Sequence, residues 1–283
     1  MLLAALAVVV ADRRNLGSSF VGRAVGPARA TRCLRSPVGL ATSIHAPAIL
    51  GWLGGALILA VMMGAPGKQF VAAATGNPAL GDAIGLSGAR PDDAFIALTQ
   101  LYLALIATGY AVQAVGSLRR EETAGRLEPR LSGTVSRLGW LAPHVLVIVT
   151  GLVTIVTVSS LVLGTATAWS MGASVNLARV VGAGAAYLPA ELLLAGLALA
   201  LFGLLPRAVS AAWAVFAAVS FIALLGLGLK FRTWVLDLAP TTHVGNPPMG
   251  AVKLLPLVVL CIVAMALAAN AMVGFRRRGV PQG

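Results

Sequence analysis

Residues 117–144 have the sequence SLRREETAGRLEPRLSGTVSRLGWLAPH, with eight charged side chains. We call this segment the elbow. The preceding stretch, residues 94–116, is apolar and has no charged residue, and the same is true of residues 138–164 on the other side. Each stretch is long enough to cross a bilayer as a helix, whereas a dense charged segment is too costly to place in lipid. The elbow is therefore predicted to lie at a membrane face and to join two membrane-spanning helices.

The composition of the whole chain points the same way. Hydrophobic residues make up 58% of the 283 residues and charged residues only 11%, compared with about 25% charged residues in soluble domains. Repeated uncharged runs of about 20 residues favour helices, so we predict an all-α polytopic membrane protein. The net charge of +12 arises from basic residues that flank these runs without interleaved aromatic residues. We therefore interpret the charge as a signal for membrane orientation, and no nucleic-acid binding is expected.

The apolar runs predict a bundle of six membrane-spanning helices after a short first segment. Residues 1–11 are apolar but too few to cross a bilayer, so we interpret them as the stub of a helix. Region 1–43 would contain this stub, a basic loop and a short interfacial helix at residues 38–45. Region 44–283 would be the membrane domain, and residues 165–177 a short uncharged loop. The predicted spans are 46–63, 94–116, 139–164, 180–205, 208–229 and 254–275.

The distribution of basic residues predicts the orientation of the bundle. Fifteen of the 21 lysines and arginines lie in segments 12–43, 117–143, 206–209 and 276–283. These four segments share one side of the membrane if every span crosses once. That side is cytoplasmic by the positive-inside rule, so a cytoplasmic C-terminus is expected.

Within the elbow, the local sequence predicts a helix, a break and a second helix. Glu122 and Arg126 have the favourable i,i+4 order of an acid before a base. Pro129 should end the first helix near Glu128, and Ser136 is a candidate N-cap for the next helix. A solvated loop and a docking element for a soluble partner both fit this pattern.

The chemistry expected of the chain is limited. We find no phosphate-binding GxxxxGK[ST] motif, no HExxH motif and no GxSxG motif. The cysteines Cys33 and Cys261 are far apart and the histidines are isolated in sequence, so no metal site or bound cofactor is predicted. Glu191 is the one charged residue inside a predicted span. Because a carboxylate facing lipid costs about 2.5 kcal/mol or more at the bilayer centre, Glu191 should face the bundle interior or a water-filled cavity.

The elbow sequence REETAGRLE at 120–128, followed by VSR at 135–137, resembles bacterial ABC transporter permeases of the type-two exporter class. This family comprises polyketide antibiotic and multidrug exporter permeases, and the chain resembles their C-terminal six-helix half. Glu191 departs from the family pattern, in which an apolar residue is expected, as do Thr241 and Thr242. Further stretches that agree are DRRNLG at 12–17, LRSPVGLA at 34–41, FGLLPR at 202–207, WVLDLAP at 234–240 and GFRRR at 274–278.

The resemblance implies a permease in the bacterial plasma membrane that exports small hydrophobic compounds with a separate ABC ATP-binding subunit. That subunit would hold ATP and magnesium, and the transport pathway would lie between this chain and a second permease half or a second copy. Residues 38–45 would form the connecting helix, and Glu191 is a candidate pathway residue. Two alternatives stay open: an ion-coupled secondary transporter that uses Glu191, and a membrane assembly protein without transport. The elbow residues expected to dock on the ATP-binding subunit are Arg120, Glu121, Glu122, Gly125, Arg126, Leu127, Glu128 and Leu131.

Overall fold

The structure, a computed structural model, describes residues 36–77, 90–124, 136–172 and 175–277. Within these ranges the chain is mainly helical and contains no β-strand. Short 3-10 helices lie at Pro206–Ala208 and Pro240–Val244. The α-helices are α1 (Pro37–Gly64), α2 (Gly67–Gly76), α3 (Pro91–Thr123), α4 (Arg137–Met171), α5 (Leu177–Ala185), α6 (Leu188–Leu204), α7 (Ala211–Leu225), α8 (Thr233–Leu236) and α9 (Leu254–Arg277).

Five helical segments of the described chain are long and apolar enough to cross a membrane: α1, α3, α4, the α5–α6 pair and α9. The prediction of an all-α polytopic membrane protein is therefore confirmed. The span predicted at 208–229 contains α7, which is apolar but only 15 residues long. At 1.5 Å per residue α7 covers about 22 Å, less than the roughly 30 Å hydrocarbon core. Turns on both sides of α7, at 206–210 and 226–230, lengthen this segment.

Several helices extend beyond the spans predicted from hydropathy. Helix α3 continues into the elbow as far as Thr123. Helix α4 continues to Met171, so residues 165–171 of the loop predicted at 165–177 are helical. The reason is that an uncharged or amphipathic sequence without a breaker stays helical after it leaves the membrane. Helix α4 ends at Gly172, which has a φ of +91°. The predicted N-cap is confirmed, since the Ser136 hydroxyl accepts a hydrogen bond from the Gly139 backbone N–H at 3.0 Å.

The short interfacial helix expected at residues 38–45 is not a separate element. Helix α1 runs without interruption from Pro37 to Gly64, and the domain boundary placed at residue 44 falls inside it. The Ser36 hydroxyl caps its first turn by accepting a hydrogen bond from Gly39 N at 3.0 Å. His45 is buried in the bundle and does not lie at a lipid interface. The residues around it therefore continue α1 and do not form a separate interfacial helix. The predicted end of the elbow helix near Glu128 lies outside the described residues.

Helix α3 is at the centre of the bundle. In its most apolar stretch 78% of the residues are buried, compared with 11% in α1 and 17% in α9. Helix α3 packs against α1, α4 and α6, while α9 packs against the outer side of α6. The α6–α9 contact is close because Gly203 has no side chain: a Cβ atom there would overlap the backbone carbonyl of Ala271. Small residues commonly permit such close backbone approach between membrane helices.

The two ends of the bundle carry different polar contacts. At the end where α3 leads into the elbow, the Arg137 guanidinium donates to the Arg276 carbonyl at 3.4 Å. At the opposite end, Arg179 forms an ion pair with Asp93 at 3.0 Å and donates to the Pro248 carbonyl at 2.8 Å. The elbow and the end of α9 therefore lie together, as the alternating topology predicts.

Candidate functional site

The last turn of α3 contains the three predicted docking residues that the structure describes, namely Arg120, Glu121 and Glu122. Glu122 is only 7% exposed, and its carboxylate accepts a hydrogen bond from the Arg119 guanidinium at 2.9 Å. Glu122 therefore serves an intrahelical ion pair and is not displayed at the surface. Arg120 is exposed. The other predicted docking residues, which lie outside the described residues, are Gly125, Arg126, Leu127, Glu128 and Leu131.

Two histidines that are far apart in sequence meet beside the elbow. The Nε2 atom of His45 in α1 lies 3.1 Å from the Nδ1 atom of His144 in α4, and both residues are buried. The Trp140 ring centroid is 4.7 Å from that of His144, and Glu121 interacts electrostatically with His45. The hydrogen bond requires one ring to donate and the other to accept. In the described chain no group of three potential ligands accompanies the pair, so the geometry supports a polar link between α1 and α4.

The sequence analysis did not predict this histidine pair. The two residues are 99 positions apart, and the sequence analysis treated the histidines as isolated. One sequence feature was consistent with the pairing: both histidines lie near the start of a span that begins on the elbow side. Their pairing depends on the packing of α1 against α4, which hydropathy does not specify.

Glu191 lies in the first turn of α6 and is 1% exposed. Within the described chain neither of its carboxylate oxygens has a hydrogen-bond partner, and the same holds for the hydroxyl of Tyr187 one turn earlier. Tyr187 belongs to an apolar cluster with Ala104, Val244 and Leu260. The structure thus places Glu191 in the bundle interior, as expected. Its role in a pathway stays a prediction.

A satisfied polar network joins the neighbouring helices. The Gln100 side chain in α3 donates to the Val180 carbonyl in α5 at 2.8 Å. Its carbonyl oxygen accepts a hydrogen bond from the Ser160 hydroxyl in α4 at 3.1 Å. Gly184 packs directly on this pair, since a Cβ atom there would overlap the Ser160 hydroxyl. This network stabilises helix packing and leaves no obvious position for a ligand.

A groove follows the face of α3 that lies between α1 and α7. Its middle is narrowed where Trp52 of α1 and Phe216 of α7 both approach Gly109 of α3. The indole N–H of Trp52 donates to the side-chain carbonyl of Gln113 at 2.9 Å. Toward the elbow the groove widens into a cavity of about 690 Å³, which includes Arg120 among its lining residues. Such a groove offers polar and apolar surface along one face of the bundle.

A separate cavity of about 260 Å³ lies among α3, α4, α6 and α9. Nearly all of its lining is aliphatic, with Val115, Ile148, Leu199 and Met265 among the residues. Cys261 also lines it, as a free thiol. The volume and the aliphatic lining of this cavity suit a small apolar molecule.

The fold defines a multi-pass, all-α membrane protein. The chain belongs to the family described as "Multidrug efflux system permease Rv1217c, C-terminal domain", whose model matches residues 34–276. It is also 33% identical over 287 residues to the "Multidrug efflux system permease protein Rv1217c" of Mycobacterium tuberculosis. That match covers 98% of this chain and 52% of the relative. The chain therefore spans about half the length of this curated relative.

Proposed function

We propose that this chain is a permease subunit, or a permease half, of an ATP-driven exporter for hydrophobic or amphiphilic compounds such as drugs. The observation that carries the proposal is its membership, over residues 34–276, in a family named for a multidrug efflux permease. The apolar 260 Å³ cavity and the groove along α3 support a hydrophobic cargo. The lack of a phosphate-binding motif in the sequence supports a separate ATP-binding subunit, which would bind ATP and magnesium.

The elbow is the proposed contact with that subunit. Because Glu122 is held by Arg119 inside the last turn of α3, reversing Glu122 would disturb the fold as well as any docking. Arg126 and Glu128 offer a cleaner test, and we expect the double reversal Arg126→Glu/Glu128→Lys to abolish co-purification of the ATP-binding subunit. Drug-stimulated ATP hydrolysis should fall with it, while membrane insertion stays unchanged. Arg277→Gln, a charge change in α9 near the same end of the bundle, is the control.

An unchanged complex in the Arg126→Glu/Glu128→Lys variant would contradict docking through the elbow. Reversal of Glu121 together with Glu122 should also uncouple transport. Its interpretation requires a stability measurement, because Glu122 pairs with Arg119 in the same helix and Glu121 interacts electrostatically with His45. A loss of transport with unchanged stability would assign these residues to coupling.

The transport pathway is proposed to form between this chain and a second permease half or a second copy. Gly51, Gly54 and Gly55 on α1 face open space, since a Cβ atom at any of them would meet no atom within 4 Å. Such a surface permits close packing of another helix, which would contact α1 at Gly54, outside the cleft that Gly51 and Gly55 line. Native mass spectrometry of the solubilised complex should show either two copies with two ATP-binding subunits or one copy with a distinct half. A transport-active monomer would contradict both arrangements.

We further propose that the protein lies in the bacterial plasma membrane with its C-terminus on the cytoplasmic side. The end of the bundle that carries the elbow and the end of α9 is also rich in arginine, which the positive-inside rule assigns to the cytoplasm. A C-terminal reporter that is active only in the cytoplasm should therefore be active when fused after Gly283. An inactive fusion with an intact, inserted chain would contradict this orientation.

Buried Glu191 favours a second candidate, an ion-coupled transporter. Ionisable residues inside membrane bundles often carry protons or ions, and Glu191 is buried without a hydrogen-bond partner in the described chain. Efflux from vesicles separates the two candidates. Export that needs ATP and continues when the proton gradient is collapsed supports the ABC exporter, whereas export that needs the gradient and no ATP supports ion coupling.

A further inference from the structure

The 690 Å³ cavity at the elbow end of the groove has a basic lining. It lies between the end of α3 and the start of α7. Among the described residues, three guanidinium groups line it and no carboxylate does. Arg119 is already engaged with Glu122, so the uncompensated charge of the lining comes from Arg120 and Arg207, which are both exposed. The lining also includes the Ser210 hydroxyl and the ring of Trp213, which is 41% exposed.

An apolar cleft of about 330 Å³ adjoins this basic cavity, and Gln113 lines both. The cleft lies along α1, where Ala48, Gly51 and Gly55 form much of its wall. The carbonyl oxygen of Gln113 is occupied by the Trp52 indole N–H. The side-chain amide nitrogen of Gln113 therefore remains a donor at the boundary between the two spaces. The basic and apolar spaces thus meet at Gln113.

We propose that these two spaces bind one anionic phospholipid from the leaflet on the elbow side of the membrane. Its phosphate would contact Arg120 and Arg207, and one acyl chain would lie in the cleft beside Gly51 and Gly55. Guanidinium groups match phosphate oxygens with paired hydrogen bonds, and basic pockets between membrane helices suit anionic headgroups. Trp213, in the first turn of α7, would lie at the interfacial depth that tryptophan prefers. A free phosphate would leave the apolar cleft unused, and in a zwitterionic lipid the phosphate charge is offset by the lipid's own ammonium group.

Native mass spectrometry of the purified full chain tests the headgroup contact. The chain is equilibrated with mixed micelles that contain equal amounts of phosphatidylglycerol and phosphatidylcholine. The wild-type chain should retain phosphatidylglycerol preferentially. Removing one guanidinium with Arg207→Gln should weaken this retention about fivefold, and Arg120→Gln/Arg207→Gln about 25-fold, from the typical contribution of a basic residue near an anionic surface.

Two control variants separate a specific site from general charge. Arg277→Gln removes the same charge near the same end of the bundle but lies outside the cavity, and retention should be unchanged. Arg207→Lys keeps the charge and should retain most of the binding, which also controls for folding. Equal retention of the two lipids by the wild-type chain would overturn the proposal. Equal losses in Arg207→Gln and Arg277→Gln would also overturn it.

The acyl-chain contact has its own matched pair of variants. Gly55→Leu fills the cleft, and Gly54→Leu adds the same volume at a neighbouring position outside it. Neither new Cβ atom meets a protein atom within 4 Å, so both variants should fold. Gly55→Leu should lower phosphatidylglycerol retention and Gly54→Leu should not; equal retention would overturn the placement of the chain. The measurement needs no ATP-binding subunit, so its failure would leave the proposed export function standing.

Discussion

The contact between α6 and α9 should be sensitive to a single methyl group at Gly203. A Cβ atom there would overlap the Ala271 carbonyl oxygen, and it would lie 2.7 Å from the Ala271 Cα atom and 2.8 Å from its carbonyl carbon. All three atoms belong to the backbone, so no side-chain rotation can relieve the overlap and the two helices must separate. Overpacking of this kind typically costs about 1–3 kcal/mol. Alanine also improves helix propensity over glycine by about 1 kcal/mol, which offsets part of the cost.

A matched substitution at Gly54 isolates the overlap. Gly54 is also in the interior of a helix, but a Cβ atom there would meet no atom within 4 Å. Gly54→Ala should therefore gain about 1 kcal/mol from propensity alone. The free energies of unfolding of Gly203→Ala and Gly54→Ala should differ by the overlap cost of about 1–3 kcal/mol. Unfolding of the purified chain in mixed micelles by increasing SDS, followed by circular dichroism, measures both values.

A difference below about 0.5 kcal/mol between these two variants would refute the close α6–α9 contact, because the expected overpacking cost is at least twice that. A gain of stability in both variants would refute it more directly. Gly274→Ala provides a graded comparison. A Cβ atom at Gly274 would lie 3.0 Å from the Gly203 carbonyl oxygen and would also meet the flexible end of the Leu204 side chain. Because a side-chain end can move away, Gly274→Ala should destabilise the chain less than Gly203→Ala.

Four further substitutions test polar groups. In a double-mutant cycle, His45→Ala and His144→Ala should show a coupling of about 0.6–1.7 kcal/mol, the range of hydrogen bonds between membrane helices; additive effects in SDS unfolding would contradict the pairing. Arg179→Gln should lower stability by about 1 kcal/mol or less, because its ion pair with Asp93 is partly exposed; a loss comparable to that of Gly203→Ala would be inconsistent with a surface pair. Glu191→Gln should increase stability, since it removes an ionisable group from an interior site without hydrogen bonds; a large decrease would show that an ionised Glu191 has a stabilising partner. Unchanged export of cationic and neutral compounds by Glu191→Gln would remove Glu191 from the pathway.

The general architecture could be predicted because it depends on solvation. Uncharged runs of membrane length must be helices, and the charges of the elbow must lie outside lipid. The N-cap at Ser136 was also predictable because capping is local: the hydroxyl bonds a backbone N–H three residues away. The ends of α3 and α4 were not predictable from hydropathy. The thickness of the bilayer sets a minimum length for a membrane-spanning apolar run, but it does not force a helix to end at the membrane surface.

Contacts between helices were the least predictable feature. Gly51, Gly54 and Gly55 are clustered in α1, a pattern typical of close helix packing, yet in the described chain they face open space. Close contacts inside the bundle occur at other glycines, among them Gly203 and Gly151, where a Cβ atom would overlap the Tyr110 hydroxyl. A glycine permits close approach, but the identity of the partner helix depends on the whole packing arrangement. Gly54, which lies outside the cleft assigned to the acyl chain, remains available for the second permease half that we propose.

The buried polar groups divide into two kinds, and this division separates structural residues from the strongest functional candidate. Gln100 and the histidine pair have partners on neighbouring helices, so their hydrogen bonds account for their burial. Glu191 is equally buried, but among the described residues its carboxylate oxygens have no hydrogen-bond partner. Neutral glutamine at this position would keep the volume and lose the ability to ionise. If Glu191→Gln stabilises the chain and selectively impairs export of cationic compounds, glutamate at this position lowers stability but is needed for export of those compounds.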